Sequence, residues 1–503
     1  MTSGETLSVL FSGQRGARDV ALVGPDDGRQ STFGELERAV LELAGRLRAI
    51  GVERGDRVAL VLPNGPEFVQ ILLAITTLGA AAAPLNPAYT VDEHSFYLAD
   101  LEPRLLLAPA DDMQAARAAA GASARVVDVL VGEGERPGLA VDGRLVEHEE
   151  PFDAGSADDI ALLLHTSGTT SRPKQVPLLQ RNLVASARTI AAHYRLEPDD
   201  VSYVAMPLFH VHGLVASVFG AFAGGGSAVV PRRFSPQRFW RQAGDHRVTW
   251  FSAGPTLHQM ILDKQAAEAV PAALRFARSC SSAMPPALMQ RIEEVYQVPL
   301  LEAYGMTEAS HQMSSNPLPP DPRLAGSVGV PTGTEIRVVD GHGVDAPAGG
   351  SGEVVIRGAG VTPGYLSNPE ANAEAFREGW FRTGDRGAFE NGYLRLHGRI
   401  KEMILRGGEN ISPYEIEDVL LAHPAVSDAV CFAVEDELYG EEVSAAVVVR
   451  GEVDERVLRD YCLQRLAPFK VPKTIRIVSQ IPRTATGKLQ RRRVGALLAE
   501  TDG

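Results

Sequence analysis

Hydrophobic and polar positions in the first part of the chain follow the spacing of helices that alternate with short buried strands. Residues 32–51 have helical spacing and end at a glycine, residues 56–63 form a short apolar run, and residues 65–80 are helical again. Strands that alternate with helices indicate a mostly parallel sheet covered on both faces. In such sheets ligands bind outside the carboxyl ends of the strands. Four further apolar runs each end at small or polar residues: 227–231, 248–254, 274–282 and 298–305.

The pattern changes near residue 330, where glycine, short strands and turns become frequent. This change predicts a small β subdomain at about residues 326–398, which completes an α/β N-terminal domain over residues 1–398. Residues 399–503 are predicted to form a small α+β C-terminal domain. Its segments have the spacing of a helix, two strands, a helix and a strand, in the order 412–424, 426–437, 441–449, 455–466 and 474–482.

Composition and charge narrow the class of protein. The chain has 503 residues, too many for a single core, and 45% of them are hydrophobic and 22% charged, as in globular proteins. The formal charge of −14 argues against a general affinity for nucleic acids or anionic membranes, because both need a basic face. We therefore expect neither a nucleic acid nor a membrane as partner.

The cysteines and the absence of targeting patterns indicate the compartment. Cys280, Cys431 and Cys462 lie far apart and in no C-x-x-C pairing, so neither a disulfide framework nor a zinc knuckle is indicated. The N-terminal residues lack the pattern of a secretory leader, and no segment has eighteen uninterrupted apolar residues. We expect a cytoplasmic protein, either a monomer or a homodimer.

A loop rich in hydroxyl groups follows an apolar run that begins at residue 162. Its hydroxyls and backbone N–H groups can bind an anion, and Lys174 adds a positive charge. Gly168 and Lys174 have the spacing of the first glycine and the lysine in G-x-x-x-x-G-K-[ST], but Pro173 and Gln175 replace the second glycine and the metal-binding hydroxyl. A Walker-type loop is therefore disfavoured, and an ordinary polar turn is the alternative. The small residues of the loop are Thr166, Ser167, Gly168, Thr169, Thr170 and Ser171.

Four further clusters carry candidate chemistry, each weak on its own, and one of them is the segment 398–417 with Arg399, Lys401 and Gly408. In residues 302–310, Tyr304 could stack on a base, Thr307 could bond a phosphate oxygen and Glu308 could hold Mg²⁺ through an oxygen. Asp385, in a segment with tryptophan and glycine, could accept both hydroxyls of a ribose. Lys488 follows a glycine close to the end of the chain.

The order and spacing of these clusters resemble the acyl-adenylate-forming superfamily of acyl-CoA synthetases, luciferases and stand-alone adenylation domains, over nearly the whole chain. The resemblance implies that residues 166–174 cradle the β- and γ-phosphates of ATP, with Thr307 on phosphate and Glu308 on magnesium. It places Lys488 as the lysine needed for adenylation and Lys401 at a hinge to a mobile C-terminal domain. The remaining implied ligands are Ser282, Ala283, Tyr304 and Gly305 around adenine and the α-phosphate, Asp385 and Arg399 on ribose, and Gly407 and Gly408 beside the thiol.

The implied reaction has two steps. A carboxylate attacks the α-phosphate of ATP and becomes an acyl-adenylate, while Lys488, Lys174, Mg²⁺ and backbone N–H groups stabilise the crowded negative charge. The thiol of CoA then attacks the acyl carbon and AMP leaves, after the C-terminal domain rotates about Lys401 to withdraw Lys488 and bring in Gly408. ATP, Mg²⁺ and CoA are therefore the expected cofactor and cosubstrates.

Gln175 departs from the family pattern, in which many members have glycine after the lysine. Glycine permits a positive φ that glutamine disfavours. Either φ is negative at this position and glutamine is harmless, or the closure of the loop over phosphate is altered and adenylation is slower.

The segments expected to line the acyl pocket are polar, whereas a long fatty chain needs apolar and glycine residues. A histidine beside a carboxylate has a raised pKa and can carry the charge that receives a second carboxylate, which favours a short diacid. Because His-x-His places its members on opposite sides of an extended chain, we expect either His210 or His212 to serve packing only. The polar candidates are His210, His212, His258, His311, Ser281, Ser314, Ser315 and Asn316.

Within the superfamily the chain looks most like the oxalate–CoA ligases. That resemblance implies that Ser281 and His311 contact the acid and that His210, a candidate catalytic residue, lies near it. Three alternatives stay open. The substrate is malonate or another short, medium or fatty acid; the acceptor is the phosphopantetheine arm of a carrier protein; or the chain is a degenerate synthetase that regulates by binding nucleotide or acyl-CoA.

Overall fold

An eight-stranded sheet, parallel in its centre, forms the first layer of the computed structural model. From edge to edge the strands are β10 (Gln175–Leu179), β9 (Ile160–His165), β4 (Ala81–Pro84), β3 (Arg57–Leu60), β5 (Leu105–Pro109), β6 (Arg125–Leu130), β7 (Gly138–Val141) and β8 (Arg144–Leu145). Pairs β3–β4, β3–β5 and β5–β6 are parallel, and the strand pairs toward both edges are antiparallel. The structure describes residues 5–12, 19–121, 123–131, 137–148, 152–166, 173–264, 270–407, 409–483, 489, 491 and 494.

A nine-stranded sheet forms the second layer and carries most of the residues discussed below. From edge to edge the strands are β17 (Val330–Pro331), β16 (His311–Ser315), β15 (Leu300–Met306), β14 (Phe276–Ser279), β13 (Trp250–Ala253), β11 (Val201–Val204), β12 (Ser227–Val229), β1 (Val20–Gly24) and β2 (Arg29–Thr32). The central strands are parallel, while β16 runs antiparallel to both of its neighbours.

Helices connect the strands and begin at recognisable signals. Thr32 closes a capping box with Glu35 at the start of the first long helix, and Thr90 does the same with Glu93. The α-helices are α1 (Phe33–Ala49), α2 (Pro66–Thr77), α3 (Val91–Leu101), α4 (Gln114–Ala120), α5 (Gln180–His193), α6 (Gly220–Gly224), α7 (Phe239–Asp245), α8 (Pro255–Lys264), α9 (Pro286–Tyr296), α10 (Pro369–Ala375), α11 (Pro413–Leu421) and α12 (Glu455–Leu463). A π-helix spans His212–Phe219, and 3₁₀ turns span Leu7–Leu10, Thr307–Ala309, Ile400–Glu402 and Pro468–Lys470.

Two smaller sheets follow in the chain. Buried apolar residues between Ile404 and Ile475 form their own cluster, packed under the fourth sheet. The third sheet contains β18 (Thr334–Val339), β19 (Gly352–Gly358), β20 (Phe376–Arg377), β21 (Trp380–Glu390) and β22 (Tyr393–Arg399). The fourth contains β23 (Ile404–Arg406), β24 (Glu409–Ile411), β25 (Val426–Asp436), β26 (Gly440–Val449) and β27 (Thr474–Ile477).

The α/β fold predicted from the hydrophobic pattern is confirmed. Each apolar run singled out in the first 305 residues contains a helix or strand of the expected type, and the segments after residue 401 have the predicted order. The domain boundary at residue 398 stays a prediction. Within the described part of the chain, no helix is long and apolar enough to cross a membrane.

Glu302 is a buried carboxylic acid in the centre of β15. Its Oε1 accepts a hydrogen bond from the backbone N–H of Met284 at 3.0 Å, while Oε2 is buried without a partner among the described residues. Burial raises the pKa of Glu302 to about 8, so the side chain is largely protonated at neutral pH.

Replacing Glu302 by glutamine is expected to remove a pH-dependent loss of stability. The pKa in the folded state is about 8 and the ordinary value is 4.5, so the folded protein keeps a proton that the unfolded chain releases between these values. The free energy of unfolding of the wild type therefore falls as pH rises through this range, whereas glutamine does not titrate. Urea unfolding should show the variant gaining on the order of 3 kcal/mol over wild type between pH 5 and 8. Identical pH dependence of the two proteins would contradict this.

Candidate active site

A cavity of about 530 Å³ opens where strands of the two large sheets end. Its walls come from the β9–β10 hairpin, the end of β14, the turn after β15 and the third sheet, so it lies where the alternating pattern placed the ligand site. The predicted residues that line it are Thr166, Lys174, His210, Ser281, Gly305, Thr307, Glu308, His311, Arg399 and Lys401. The rest of the predicted phosphate loop, Ser167, Gly168, Thr169 and Thr170, lies outside the described residues.

Thr166 and Lys174 lie opposite each other at the base of that loop. The N–H of Thr166 donates to the carbonyl of Lys174 at 2.9 Å, and the N–H of Lys174 donates to Thr166 Oγ1 at 3.3 Å. Lys174 Nζ lies 4.7 Å from the centroid of the Tyr365 ring, a cation–π distance. The hairpin therefore places the ammonium group of Lys174 at the wall of the cavity.

Gln175 lies in the extended strand β10, opposite His165. It is not among the residues with positive φ, so the backbone at this position does not require glycine. Its Nε2 donates to the carbonyl of Asp100 at 2.6 Å and to Asp100 Oδ2 at 2.7 Å, and His165 Nε2 lies 3.0 Å from the same oxygen. The structure therefore agrees with the first of the two alternatives, in which the backbone at this position tolerates glutamine. The Gln175 side chain also anchors β10 to α3.

Glu308 has the surroundings of a magnesium ligand. Its side chain is buried in the cavity wall, and its Oε1 accepts a hydrogen bond from the Tyr365 hydroxyl at 3.0 Å. Mg²⁺ binds through one or two carboxylates, with phosphate oxygens and waters as its other ligands. The described residues contain no group of three or more His, Cys, Asp or Glu that could hold a metal alone. One carboxylate beside a phosphate site therefore fits this ion.

The predicted nucleoside ligands divide between two places. The hydroxyl of Tyr304 donates to Asp385 Oδ2, and Arg399 Nε lies 3.3 Å from Asp385 Oδ1. Burial and the neighbouring Asp385 raise the pKa of Tyr304 well above its usual value, so the hydroxyl remains a donor. Neither Tyr304 nor Asp385 lines the cavity, whereas Ser282 and Ala283 line the second cavity described below.

Ser281, His212 and His311 lie close together in the wall of the cavity. Ser281 Oγ lies 2.8 Å from His212 Nδ1, and the two histidine rings lie 5.0 Å apart. Ser281 has φ of +80° and His311 has φ of +125°, a strained backbone for residues other than glycine. The three side chains thus place polar groups together in the cavity wall.

Sequence reasoning left the roles of three histidines open. The argument that His210 and His212 oppose each other in an extended chain was wrong, because His212 begins a helix after a helical Val211, and both histidines line the cavity. His258 is fully buried, and its Nε2 bonds the carbonyl of Arg278 at 2.9 Å, so it belongs to the core. The sequence signal that could have identified His212 is its position as a polar residue at the start of an apolar helix.

Burial lowers the pKa of His212 and of His311 well below the ordinary value of histidine, and nearby positive charge from Arg278 lowers both further. Both rings are therefore neutral at physiological pH in the surroundings that the chain itself provides. The expectation that a histidine of this pocket carries a positive charge is not met by these two residues.

A second cavity of about 460 Å³ adjoins the first and shares Ser281, Arg399 and Glu402 with it. Its walls include α9 on one side and residues after 403, such as Tyr414 and Arg491, on the other.

The predicted hinge and thiol-tunnel residues lie beside these cavities or outside the described residues. Lys401 lies in the exposed turn Ile400–Glu402, and Gly407 has φ of +56° with its N–H donating to the Tyr439 carbonyl at 2.9 Å. Gly408 and Lys488 lie outside the described residues.

Comparison with known proteins identifies the family. The AMP-binding enzyme family matches residues 12–366, and the C-terminal domain of AMP-binding enzymes matches residues 415–488. The chain belongs to the AMP-binding enzyme family. The predictions of an AMP-forming acyl-CoA synthetase that uses ATP, Mg²⁺ and CoA are confirmed. The assignments of individual site residues stay predictions.

Similar proteins agree with this class. A probable CoA ligase of Humulus lupulus is 47% identical over 92% of this chain and 90% of its own length. An oxalate–CoA ligase of Arabidopsis thaliana is 46% identical over 92% of each chain. Among solved structures, ATP-bound MatB of Rhodopseudomonas palustris superposes with a TM-score of 0.90, 29% identity and full coverage of both chains.

Replacing Gln175 by glycine is expected to reduce stability more than activity. The change removes hydrogen bonds to a charged carboxylate and introduces glycine into a strand, a loss of about 1–3 kcal/mol in the free energy of unfolding. Because the backbone is already extended, turnover should change by less than about tenfold, or about 1.4 kcal/mol in the barrier. Urea unfolding and steady-state pyrophosphate release measure the two effects. A rise in turnover beyond tenfold would show that glutamine restrains the reaction.

Proposed function

We propose that this acyl-CoA synthetase joins a short dicarboxylic acid, with oxalate as the preferred substrate, to CoA through an acyl-adenylate. The observation that carries the proposal is the polar part of the main cavity's wall that Ser281, His212 and His311 form. The similarity to an oxalate–CoA ligase over 92% of the chain supports the same choice.

The energetics of burial disfavour a fatty acyl chain packed against these three side chains. A polar group that loses water without gaining a hydrogen bond costs about 1–3 kcal/mol. His311 is 2% exposed, and its Nε2 has no hydrogen-bond partner among the described residues. A methylene chain packed here would leave Nε2 without a hydrogen bond, whereas a second carboxylate supplies one oxygen that can accept from Nε2 and another that can accept from the Ser281 hydroxyl.

The first step is adenylation. The near carboxylate of the acid attacks the α-phosphorus, and pyrophosphate leaves. In the proposal Lys174 and Lys488 stabilise the negative charge of the transition state, and Thr307 orients a phosphate oxygen. Glu308 holds the magnesium ion, which neutralises phosphate charge when bound. The hydrogen bond from Tyr365 orients the Glu308 carboxylate for that purpose.

The second step transfers the acyl group to a thiol, and AMP leaves. We assign the thiol to CoA; a carrier protein's phosphopantetheine arm presents the same group to the same site. Residues after 403 pack around their own core, which supports rotation of this part about Lys401 between the steps. Gly407 and Gly408 then line the approach of the thiol.

We also propose a cytoplasmic location. Cys280, Cys431 and Cys462 are all buried free thiols, which supports a reducing compartment.

The acid preference is tested by measuring pyrophosphate release and thioester formation across a panel from oxalate through malonate and succinate to acetate, hexanoate and palmitate. We expect kcat/KM to be highest for oxalate and to fall by about tenfold or more for any monoacid, because a missing charged partner costs more than 1.4 kcal/mol. The highest value for a monoacid would refute the diacid proposal. Product formation only with a carrier protein, and none with free CoA, would refute CoA as the acceptor.

Replacing Lys488 by alanine is expected to abolish adenylation and leave thioester formation from a supplied acyl-adenylate within about tenfold of wild type, since its charge acts only in the first step. The matched control is Lys473→Ala, which removes an exposed lysine paired with Asp436 from the same part of the chain. That control should retain both half-reactions. Equal loss of both half-reactions in Lys488→Ala would contradict the assigned role.

A further inference from the structure

Arg278 is a fully buried guanidinium in the centre of the nine-stranded sheet. It lies on β14, between β13 and β15, and its side chain is 0% exposed. Among the described residues, none of its hydrogen bonds goes to a carboxylate. A buried charge without a counter-ion is costly, and proteins usually pair such a charge or neutralise it. This positive charge therefore requires an explanation.

The hydrogen-bond partners of the guanidinium among the described residues are uncharged. Nε donates to the Tyr194 hydroxyl at 2.8 Å, and Nη2 donates to Gln312 Oε1 at 3.0 Å. Nη1 donates to Ser252 Oγ at 2.8 Å and lies 3.5 Å from His212 Nε2. These groups spread the positive charge over neutral acceptors and leave it uncompensated. His212 lies beside the guanidinium and also lines the substrate cavity, so the positive field of Arg278 extends toward that cavity.

A chain of hydrogen bonds links the guanidinium to Ser281 in the wall of that cavity. Ser252 Oγ lies 2.6 Å from His212 Nε2, and His212 Nδ1 lies 2.8 Å from Ser281 Oγ. Arginine has only donors, so Ser252 accepts from Arg278 and its hydroxyl proton is directed to His212 Nε2. His212 Nε2 is then the acceptor, and Nδ1 carries the proton of the neutral ring. Nδ1–H donates to Ser281 Oγ, which leaves the Ser281 hydroxyl proton free to point into the cavity.

We infer that Arg278 is a specificity-determining positioning residue, which sets the Ser281 hydroxyl as a donor through Ser252 and His212 and supplies the positive field that receives the second anionic group of the acid. The inference rests on the proposed dicarboxylate substrate and deepens it. The positive field of Arg278 would explain how a pocket with neutral histidines binds the second anionic group. The dianion of oxalate is the counter-ion that the buried guanidinium lacks within the described chain.

The inference separates Arg278 from a residue that only fills the core. A purely structural arginine would affect all acids alike when replaced. A positioning residue for the distal anionic group affects only acids that carry such a group. Glyoxylate is the matched probe, because it has the two-carbon length of oxalate and a single carboxylate.

The experiment measures kcat/KM for pyrophosphate release with oxalate and glyoxylate in wild type and in Arg278→Met. We expect the oxalate value to fall by about 100-fold, the factor for one interaction with a charged group, and the glyoxylate value to change by less than about threefold. Arg278→Lys, which keeps the charge, should retain more of the oxalate preference than the methionine variant. Arg241→Met, which removes an exposed arginine of α7, is the control and should leave both values unchanged.

Ser252→Ala provides a second test if Arg278→Met fails to fold, since it removes one hydroxyl and keeps the guanidinium. We expect about a tenfold loss with oxalate and little with glyoxylate, the size of one neutral hydrogen bond. Equal losses with both acids, or no loss with oxalate, in the folded variants would overturn the inference. A wild type that does not prefer oxalate to glyoxylate would instead show that the proposed function fails, and the inference with it.

Discussion

The site depends on balancing negative charge. ATP and an organic acid bring anions together in a chain whose own formal charge is −14, and charges interact strongly in a cavity of low dielectric. The chain therefore offsets its own carboxylates near the site. Asp385 is held by Arg399, and Glu308 accepts from the hydroxyl of Tyr365, whose ring faces the ammonium of Lys174. Local compensation of this kind lets an acidic protein maintain a site for anionic substrates.

The cavity wall around Ser281 and His311 has an unusual backbone. Ser281, Ser310 and His311 all have positive φ, which costs about 1–3 kcal/mol at each residue that is not glycine. Packing of β15 against β16 holds this conformation. A Cβ at Gly305 would lie 2.1 Å from the carbonyl oxygen of His311, so the close approach of the two strands requires glycine. Of these three residues Ser281 and His311 line the cavity, whereas the Ser310 hydroxyl donates to the carbonyl of Gly360 at 2.7 Å.

Local patterns predicted the elements and the position of the cavity, because strand and helix periodicity depends on near neighbours. The same patterns misjudged His212, since a helix begins there and the argument assumed an extended chain. No local sequence pattern identified Arg278 as a candidate site residue. Its partners Tyr194, Ser252 and Gln312 are 26 to 84 residues away in sequence, and only the packed sheet brings them together. Gln175 was recognised as a departure, but its partner Asp100 lies on a helix that sequence could not connect to it.

The two cavities suggest how one enzyme can select an acid strictly and still admit a second substrate. Arg278, Ser252, His212 and Ser281 all precede residue 282, so the relay belongs to the large sheet and the helix that packs on it. The second cavity takes part of its wall from residues after 403, and its shape therefore depends on where that part of the chain lies. In the proposed mechanism, rotation about Lys401 would change access for the thiol and leave these four residues in place, because none of them lies in that part of the chain. Ser281 lines both cavities, so it marks the place where the proposed acyl and thiol sites would meet.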